Sequence, residues 1–157
     1  SSGDTSFYSA YEAYSALPPK LKTKIKGLRC KHDATRNSAG ELRVGYAETY
    51  HNKERPGAIH PLVILHPNTK RKALFLGRRP NAWIYGFSSE ASDALLDELW
   101  DHINSHNFTW TQNWEKGDLV IWDNRCTFHR REKLDPSQNR LMHRTQIADD
   151  YPPTAPS

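Results

Sequence analysis

The alternation of apolar and polar positions divides the chain into a helical start, a polar excursion and a strand-rich remainder. Tyr11, Tyr14 and Leu17 recur at three-residue steps through residues 9–17, which predicts a short helix that Pro18-Pro19 stops before opening the next. Leu21, Ile25 and Leu28 keep helical spacing through residues 20–31 and predict a second helix. Residues 34–57 carry no period and are broken by Gly40, Gly45, Pro56 and Gly57, so they read as a long excursion, with a lid favoured over a plain binding loop or disorder. Residues 59–66 and 72–77 are short apolar runs bounded by Pro67, Asn68 and Gly77, as paired strands are. Over residues 89–106, Leu95, Leu96, Leu99, Trp100 and Ile103 form one stripe, and Glu90 and Asp93 sit near the positive end of the helix it predicts. Phe108, Trp110, Gln112 and Trp114 then alternate with polar neighbours, and Lys116-Gly117-Asp118 makes a turn. Residues 119–122 read as a strand buried on both faces, and residues 141–148 alternate as another strand.

Several short strands with a helix laid alongside predict a mainly β fold with flanking helices, a double-sheet sandwich of jelly-roll type. One domain is expected over residues 1–150, followed by a flexible proline-rich tail over residues 151–157. No run approaches the roughly 18 apolar residues of a membrane span, so no membrane partner is expected. The net charge of +4 invites a nucleic-acid reading through Lys20, Lys22, Lys24, Lys26, Arg29 and Lys31. No aromatic interleaving accompanies that run, so it reads as the solvated face of an amphipathic helix and no nucleic-acid partner is expected. Cys30 and Cys126 lie far apart with no C-x-x-C neighbour, which argues against a disulfide framework or a thiolate zinc site and for a reducing, cytoplasmic setting. The start, Ser1-Ser2-Gly3-Asp4, has neither a signal sequence nor an initiator Met and is expected to be a cut end.

The densest group of chemically useful side chains is the run from Trp122 to Arg130, at a turn following the apolar residues 119–122. His129 within it is either a metal ligand suited to iron, zinc or copper, or a satisfied surface histidine. Arg140 and Arg144 are four residues apart on the alternating segment, which places both on one face roughly 13 Å apart. Their planar forks suit carboxylates or sulfonates, unless they are surface residues tied to Asp149 or Asp150.

Taken in order, Asp4-Thr5-Ser6-Phe7 with Ala13-Tyr14 and Leu17-Pro18, then His60-Pro61-Leu62-Val63 with His66-Pro67 and Arg71-Lys72-Ala73-Leu74-Phe75, form the first part of a recognisable pattern. Gly117-Asp118-Leu119-Val120-Ile121-Trp122-Asp123-Asn124-Arg125 with His129, and Arg140-Leu141-Met142-His143-Arg144, complete it. This series resembles the taurine dioxygenase and 2,4-dichlorophenoxyacetate dioxygenase family. The resemblance implies an iron(II)- and 2-oxoglutarate-dependent dioxygenase on a double-stranded β-helix. In such an enzyme dioxygen and 2-oxoglutarate become succinate and carbon dioxide while a small anionic substrate, a sulfonate or carboxylate, is hydroxylated. By position, His129 corresponds to the distal histidine of an iron-binding set of two histidines and one carboxylate. Arg140 corresponds to the arginine that binds the far carboxylate of 2-oxoglutarate, Thr5 to the threonine whose hydroxyl assists it, and Arg144 to an arginine near the anionic end of the substrate. Asp123 and Asn124 are assigned only the shaping of a turn.

In one respect the pattern is incomplete. The family's other two iron ligands come from a His-x-Asp or His-x-Glu motif before the Asp-Thr element, and none of the eight histidines here has an acidic residue two positions on. His32-Asp33 has the wrong spacing, because adjacent strand residues point to opposite faces. The expectation is therefore the C-terminal portion of an oxygenase domain with its N-terminal strands missing, inactive alone and a homo-oligomer when complete. A non-catalytic jelly-roll module whose arginines hold a small anion is the competing expectation.

Overall fold

The computed structural model describes residues 3–37, 40–48, 53–77, 81–106, 109–135, 137, 140–148 and 151–156. Strand β1 (Thr5–Ser9) leads directly into helix α1 (Ala10–Ser15), and helix α2 (Pro19–Ile25) follows with proline at its first position. Ser9 caps α1 by accepting the Glu12 N–H at 3.3 Å. The basic run departs from the single helix expected over residues 20–31. It ends at Ile25 because Gly27 takes a left-handed φ of 75°, and Arg29 already begins strand β2 (Arg29–Asp33).

Next come β3 (Gly57–Pro61), β4 (Val63–Leu65), β5 (Lys72–Leu74), β6 (Trp83–Ile84), helix α3 (Ser89–Ser105), β7 (Thr109–Gln112) and β8 (Thr127–Arg131). They build three small antiparallel sheets: β7-β1-β8, β3-β2-β6 and the β4-β5 hairpin. Both strand runs expected after the excursion are thus present, Val63 facing Leu74 across the hairpin. The excursion itself is tied at its base, where the Ala34 N–H donates to the Pro56 carbonyl at 3.0 Å.

Helix α3 matches its predicted stripe. Leu95, Leu96, Leu99 and Ile103 are fully buried and pack with Leu21 and Ile25 of α2, Leu62, Leu74 and Ile84 into one core. Buried Ser92 accepts the Ile84 N–H at 2.9 Å, which satisfies a donor at the end of β6 that the core would otherwise orphan. No described helix is long and apolar enough to cross a membrane. Cys30 and Cys126 are free thiols.

Two strand expectations fail. Residues 119–122 form no strand, and Leu119 and Ile121 are 83% and 84% exposed. Residues 141–148 form none either, with Leu141 84% and Ile147 97% exposed. The physical reason is shared: no described strand lies alongside either segment, so the apolar residues have no facing layer and the backbone no ladder. The tail contributes a contact of its own, the Thr154 carbonyl accepting the Leu65 N–H at 2.9 Å. Phe108, Asp149 and Asp150, named in the sequence reading, lie outside the described residues.

Candidate functional site

Antiparallel pairing sets which side chains share a face. Phe7 of β1 is opposite Trp110 of β7 and His129 of β8, and Thr5 is opposite Gln112 and Arg131. Residues directly paired in this way project to the same side, so Thr5, Phe7, Trp110 and His129 stand on one surface. Rings cover much of it. Phe7 stacks on Trp110 with centroids 5.3 Å apart and meets Trp122 edge-on at 5.1 Å. The His129 ring lies 5.2 Å from Trp122 and 6.2 Å from Phe7. His129 is nevertheless exposed, whereas Thr5 and Phe7 on the same face are buried.

Thr5, at the start of β1, is buried, and its hydroxyl oxygen accepts the Trp114 indole N–H at 2.9 Å. A hydroxyl that accepts from an indole keeps its own proton to donate, which is the capacity a carboxylate needs. Two residues earlier, Gly3 takes a φ of 84° and donates its N–H to the Lys133 carbonyl at 3.0 Å. A Cβ placed on Gly3 would meet Leu134 Cδ1 at 2.9 Å and Arg140 Cδ at 3.3 Å, so half-buried Arg140 runs against the backbone just ahead of Thr5. Arg140 and Thr5 therefore approach one end of the surface that carries His129.

Arg144 does not join them. It is exposed on the unpaired segment 141–148, where its Nη2 donates to Gln146 Oε1 at 3.4 Å. The shared strand face expected for Arg140 and Arg144 is absent for the reason already given, that no ladder partner lies beside them.

A second cluster was not anticipated. His66, 4% exposed, donates from Nε2 to Asp123 Oδ2 at 3.0 Å, while Arg125 reaches the same carboxylate through Nε at 2.9 and 3.1 Å and Nη2 at 2.7 Å. The guanidinium of Arg125, with His66 adding to it, holds the Asp123 carboxyl well below the usual carboxylate range against the opposing effect of burial. His66 Nε2, Asp123 and Cys126 Sγ present donor atoms within 4.8 Å of one another. Both His66 nitrogens are already engaged, however, because Nδ1 accepts the Asn68 and Thr69 N–H groups at 3.3 Å each. That assignment puts the proton on Nε2 and makes the cluster a hydrogen-bonded clasp. Sequence reasoning missed His66 because its partner is 57 residues away; the only signal was its place beside Pro67 in the family pattern.

An imidazole is a donor that iron(II) takes, so the side-chain type of His129 suits one position of a two-histidine, one-carboxylate set. Among the described residues His129 belongs to no group of three His, Cys, Asp or Glu donors, so the described residues do not close the set.

Comparison with known proteins gives a consistent family picture. The model of the family described as "Taurine catabolism dioxygenase TauD, TfdA family" matches residues 1–146. The alpha-ketoglutarate-dependent 2,4-dichlorophenoxyacetate dioxygenase of Cupriavidus pinatubonensis is 36% identical over 150 residues, covering 96% of this chain and 52% of that protein. The (S)-phenoxypropionate/alpha-ketoglutarate-dioxygenase of Sphingobium herbicidovorans is 33% identical over 153 residues, with coverage of 94% and 53%. Among solved structures, AAD-2 in complex with Mn(II) and N-oxalylglycine superposes with a TM-score of 0.75 at 33% identity, over 90% of this chain and 56% of that one. A taurine dioxygenase from Burkholderia xenovorans reaches 0.65 at 31% identity, over 85% and 41%. The chain spans about half the length of the curated relatives it matches.

Proposed function

We propose, for a chain that belongs to the taurine catabolism dioxygenase TauD, TfdA family, that the complete protein is an iron(II)- and 2-oxoglutarate-dependent dioxygenase hydroxylating a small anionic organic substrate, a sulfonate or carboxylate. The observation that carries the reading is convergence: Thr5 and Arg140 approach one end of the sheet surface on which His129 stands. The names of the relatives, with their 2,4-dichlorophenoxyacetate and phenoxypropionate activities, support the substrate class. The neighbour solved with Mn(II) supports a divalent metal.

In this reading His129 supplies one imidazole ligand to iron(II). The Arg140 guanidinium and the Thr5 hydroxyl proton bind the far carboxylate of 2-oxoglutarate, so the cosubstrate has one orientation available. Trp114 fixes the Thr5 hydroxyl for that task. Phe7 and Trp122 stand beside the imidazole and limit its tilt, while His129 stays open to solvent on its other side. Arg144 faces the negative end of the substrate once its segment is laid against a partner strand. When bound, iron(II) with dioxygen supplies the oxidative decarboxylation of 2-oxoglutarate to succinate and carbon dioxide and the hydroxylation coupled to it.

The remaining two ligands, and the strands that would cover Leu119, Ile121, Leu141 and Ile147, belong in this proposal to sequence outside these 157 residues. Support comes from the absence of a His-x-acid motif here and from the half-length span of the match. The complete protein is further proposed to work in a reducing, cytoplasmic setting as a homo-oligomer; the two free thiols support the first point.

Two experiments test the reading. The 157-residue chain alone should form no succinate from 2-oxoglutarate with iron(II) and a phenoxyacetate, and measurable turnover would overturn the division of ligands. In the complete protein, Arg140→Ala should raise the half-saturating 2-oxoglutarate level far more than that of substrate; equal effects would mean that Arg140 and Arg144 have exchanged roles.

A further inference from the structure

We infer that His66 is a positioning residue for the metal site: through Asp123 and Arg125 it clasps the turn that leads into β8 and so sets where His129 stands. The inference rests on the reading of His129 as a ligand, and adds to it a residue that lies outside the site and is buried.

The clasp joins two turns. On one side is the connection between β4 and β5, closed by the His66 N–H donating to the Arg71 carbonyl at 2.9 Å and the Lys70 N–H to the His66 carbonyl at 3.0 Å. Lys70 there adopts a left-handed φ of 56°, a conformation of some cost to a residue with a Cβ, so this connection is held in one shape. On the other side is the turn 123–126, closed by the Cys126 N–H donating to the Asp123 carbonyl at 3.2 Å. The Cys126 carbonyl then accepts the Ala10 N–H at 2.9 Å, and from Thr127 the chain pairs with β1 residue by residue to His129 opposite Phe7. The start of β8 is thus held by the ladder with β1, and the turn that feeds it by one carboxylate.

That carboxylate has little freedom. Asp123 Oδ1 accepts the Arg125 N–H at 2.8 Å and Arg125 Nε at 2.9 Å, and Oδ2 accepts from His66 and Arg125 Nη2. His66 is oriented in turn by the two backbone N–H groups on its Nδ1, which leaves Nε2–H as a donor with one direction. A directional network of this kind fixes position where apolar packing would permit sliding. Slippage at residues 123–126 would be carried along β8, and a one-residue slip would turn the imidazole to the opposite face of the sheet.

The test uses the complete protein with His66→Leu, His66→Gln, Asp123→Asn and, as the ligand control, His129→Ala. Mn(II) affinity is measured by electron paramagnetic resonance titration well below each variant's thermal midpoint, and hydrogen exchange is followed at the amides of Thr127–Arg131. Loss of the clasp in His66→Leu and Asp123→Asn should weaken Mn(II) binding about 10- to 100-fold, the range for residues that orient a ligand. It should also speed exchange along β8 about tenfold while leaving α3 unchanged. In Asp123→Asn the side-chain N–H groups confront the donors of His66 and Arg125, so one lost charge disrupts several bonds. His66→Gln, whose amide keeps a donor for Asp123, should recover most of the affinity; a purely space-filling role would be met equally by Leu. Affinity within about twofold of the parent in His66→Leu overturns the inference, whether or not the midpoint falls. If the parent binds no Mn(II), or His129→Ala binds like the parent, the ligand assignment fails. Exchange along β8 then decides the clasp alone, and unchanged exchange overturns it.

Discussion

His32 gives the fold a measurable dependence on pH. On β2, its ring stacks on Phe75 at 5.0 Å and meets the His60 ring edge-on at 5.2 Å, and its Nε2 is buried with no hydrogen-bond partner. Burial first, and the neighbouring His60 second, push its pKa down to about 4, against the backbone of Phe75, which favours the proton. In the unfolded chain the same ring titrates near its ordinary 6.5. Above that value both states are neutral and the ring is silent; as pH falls from 6.5 toward 4 the unfolded state takes up a proton that the folded state refuses, so stability declines. Between about pH 7 and about pH 5 the loss is about 2 kcal/mol from this ring. His60, lowered by burial and by Arg29, adds to it in the same direction. Urea unfolding of the complete protein and of His32→Phe at both pH values is the assay. Phe preserves the stacked ring but cannot titrate, so the variant should lose about 2 kcal/mol less than the parent on acidification. Its absolute stability at neutral pH is not the criterion, because the ring's bond to the Phe75 backbone is lost as well. Equal pH slopes in the two proteins, or a parent that gains stability on acidification, would refute the reasoning.

Leu99→Ala empties a fully buried position on α3 and should cost about 2–5 kcal/mol in the same unfolding assay, whereas truncating exposed Leu119 in the 157-residue chain should stay within about 0.5 kcal/mol. Gly3→Ala puts a Cβ against Leu134 and Arg140 at a φ of 84°, and should both lower the thermal midpoint and raise the half-saturating 2-oxoglutarate level, read by thermal unfolding and by substrate titration. Trp114→Phe removes the indole donor from Thr5 and should weaken 2-oxoglutarate binding by about 1 kcal/mol, read by calorimetric titration.

How much of this was legible in the sequence depended on how local each cause is. Helix α3 was readable because its stripe and its cap, Ser88 accepting the Ala91 N–H, lie within the element itself. The β4-β5 hairpin was readable for the same reason. Strand β1 was not predicted, since Thr5 to Tyr8 are all buried and show no alternation to mark a pleat. The basic run reads nearly two turns too long as a helix because Leu28 continues the helical spacing although Gly27 has already turned the backbone away. Residues 119–122 and 141–148 have strand composition and no strand, because a ladder needs a neighbour that local sequence does not contain. Motif order singles out His129, Thr5, Arg140 and Arg144, and the structure brings the first three toward one surface and leaves Arg144 apart. The His66 contact and the approach of Phe7 to His129 come from pairings across more than fifty residues, which no local pattern records.

The central claim is that His129 and Arg140 serve one site, the first on iron(II) and the second on 2-oxoglutarate. It is tested most directly by the visible charge-transfer absorption that a 2-oxo acid acquires on chelating iron(II), recorded anaerobically as 2-oxoglutarate is titrated into the iron(II)-loaded complete protein. The account predicts a saturable band in the parent, no band in His129→Ala, and a band in Arg140→Ala that appears only at much higher 2-oxoglutarate. A band of parental intensity and midpoint in His129→Ala would contradict it.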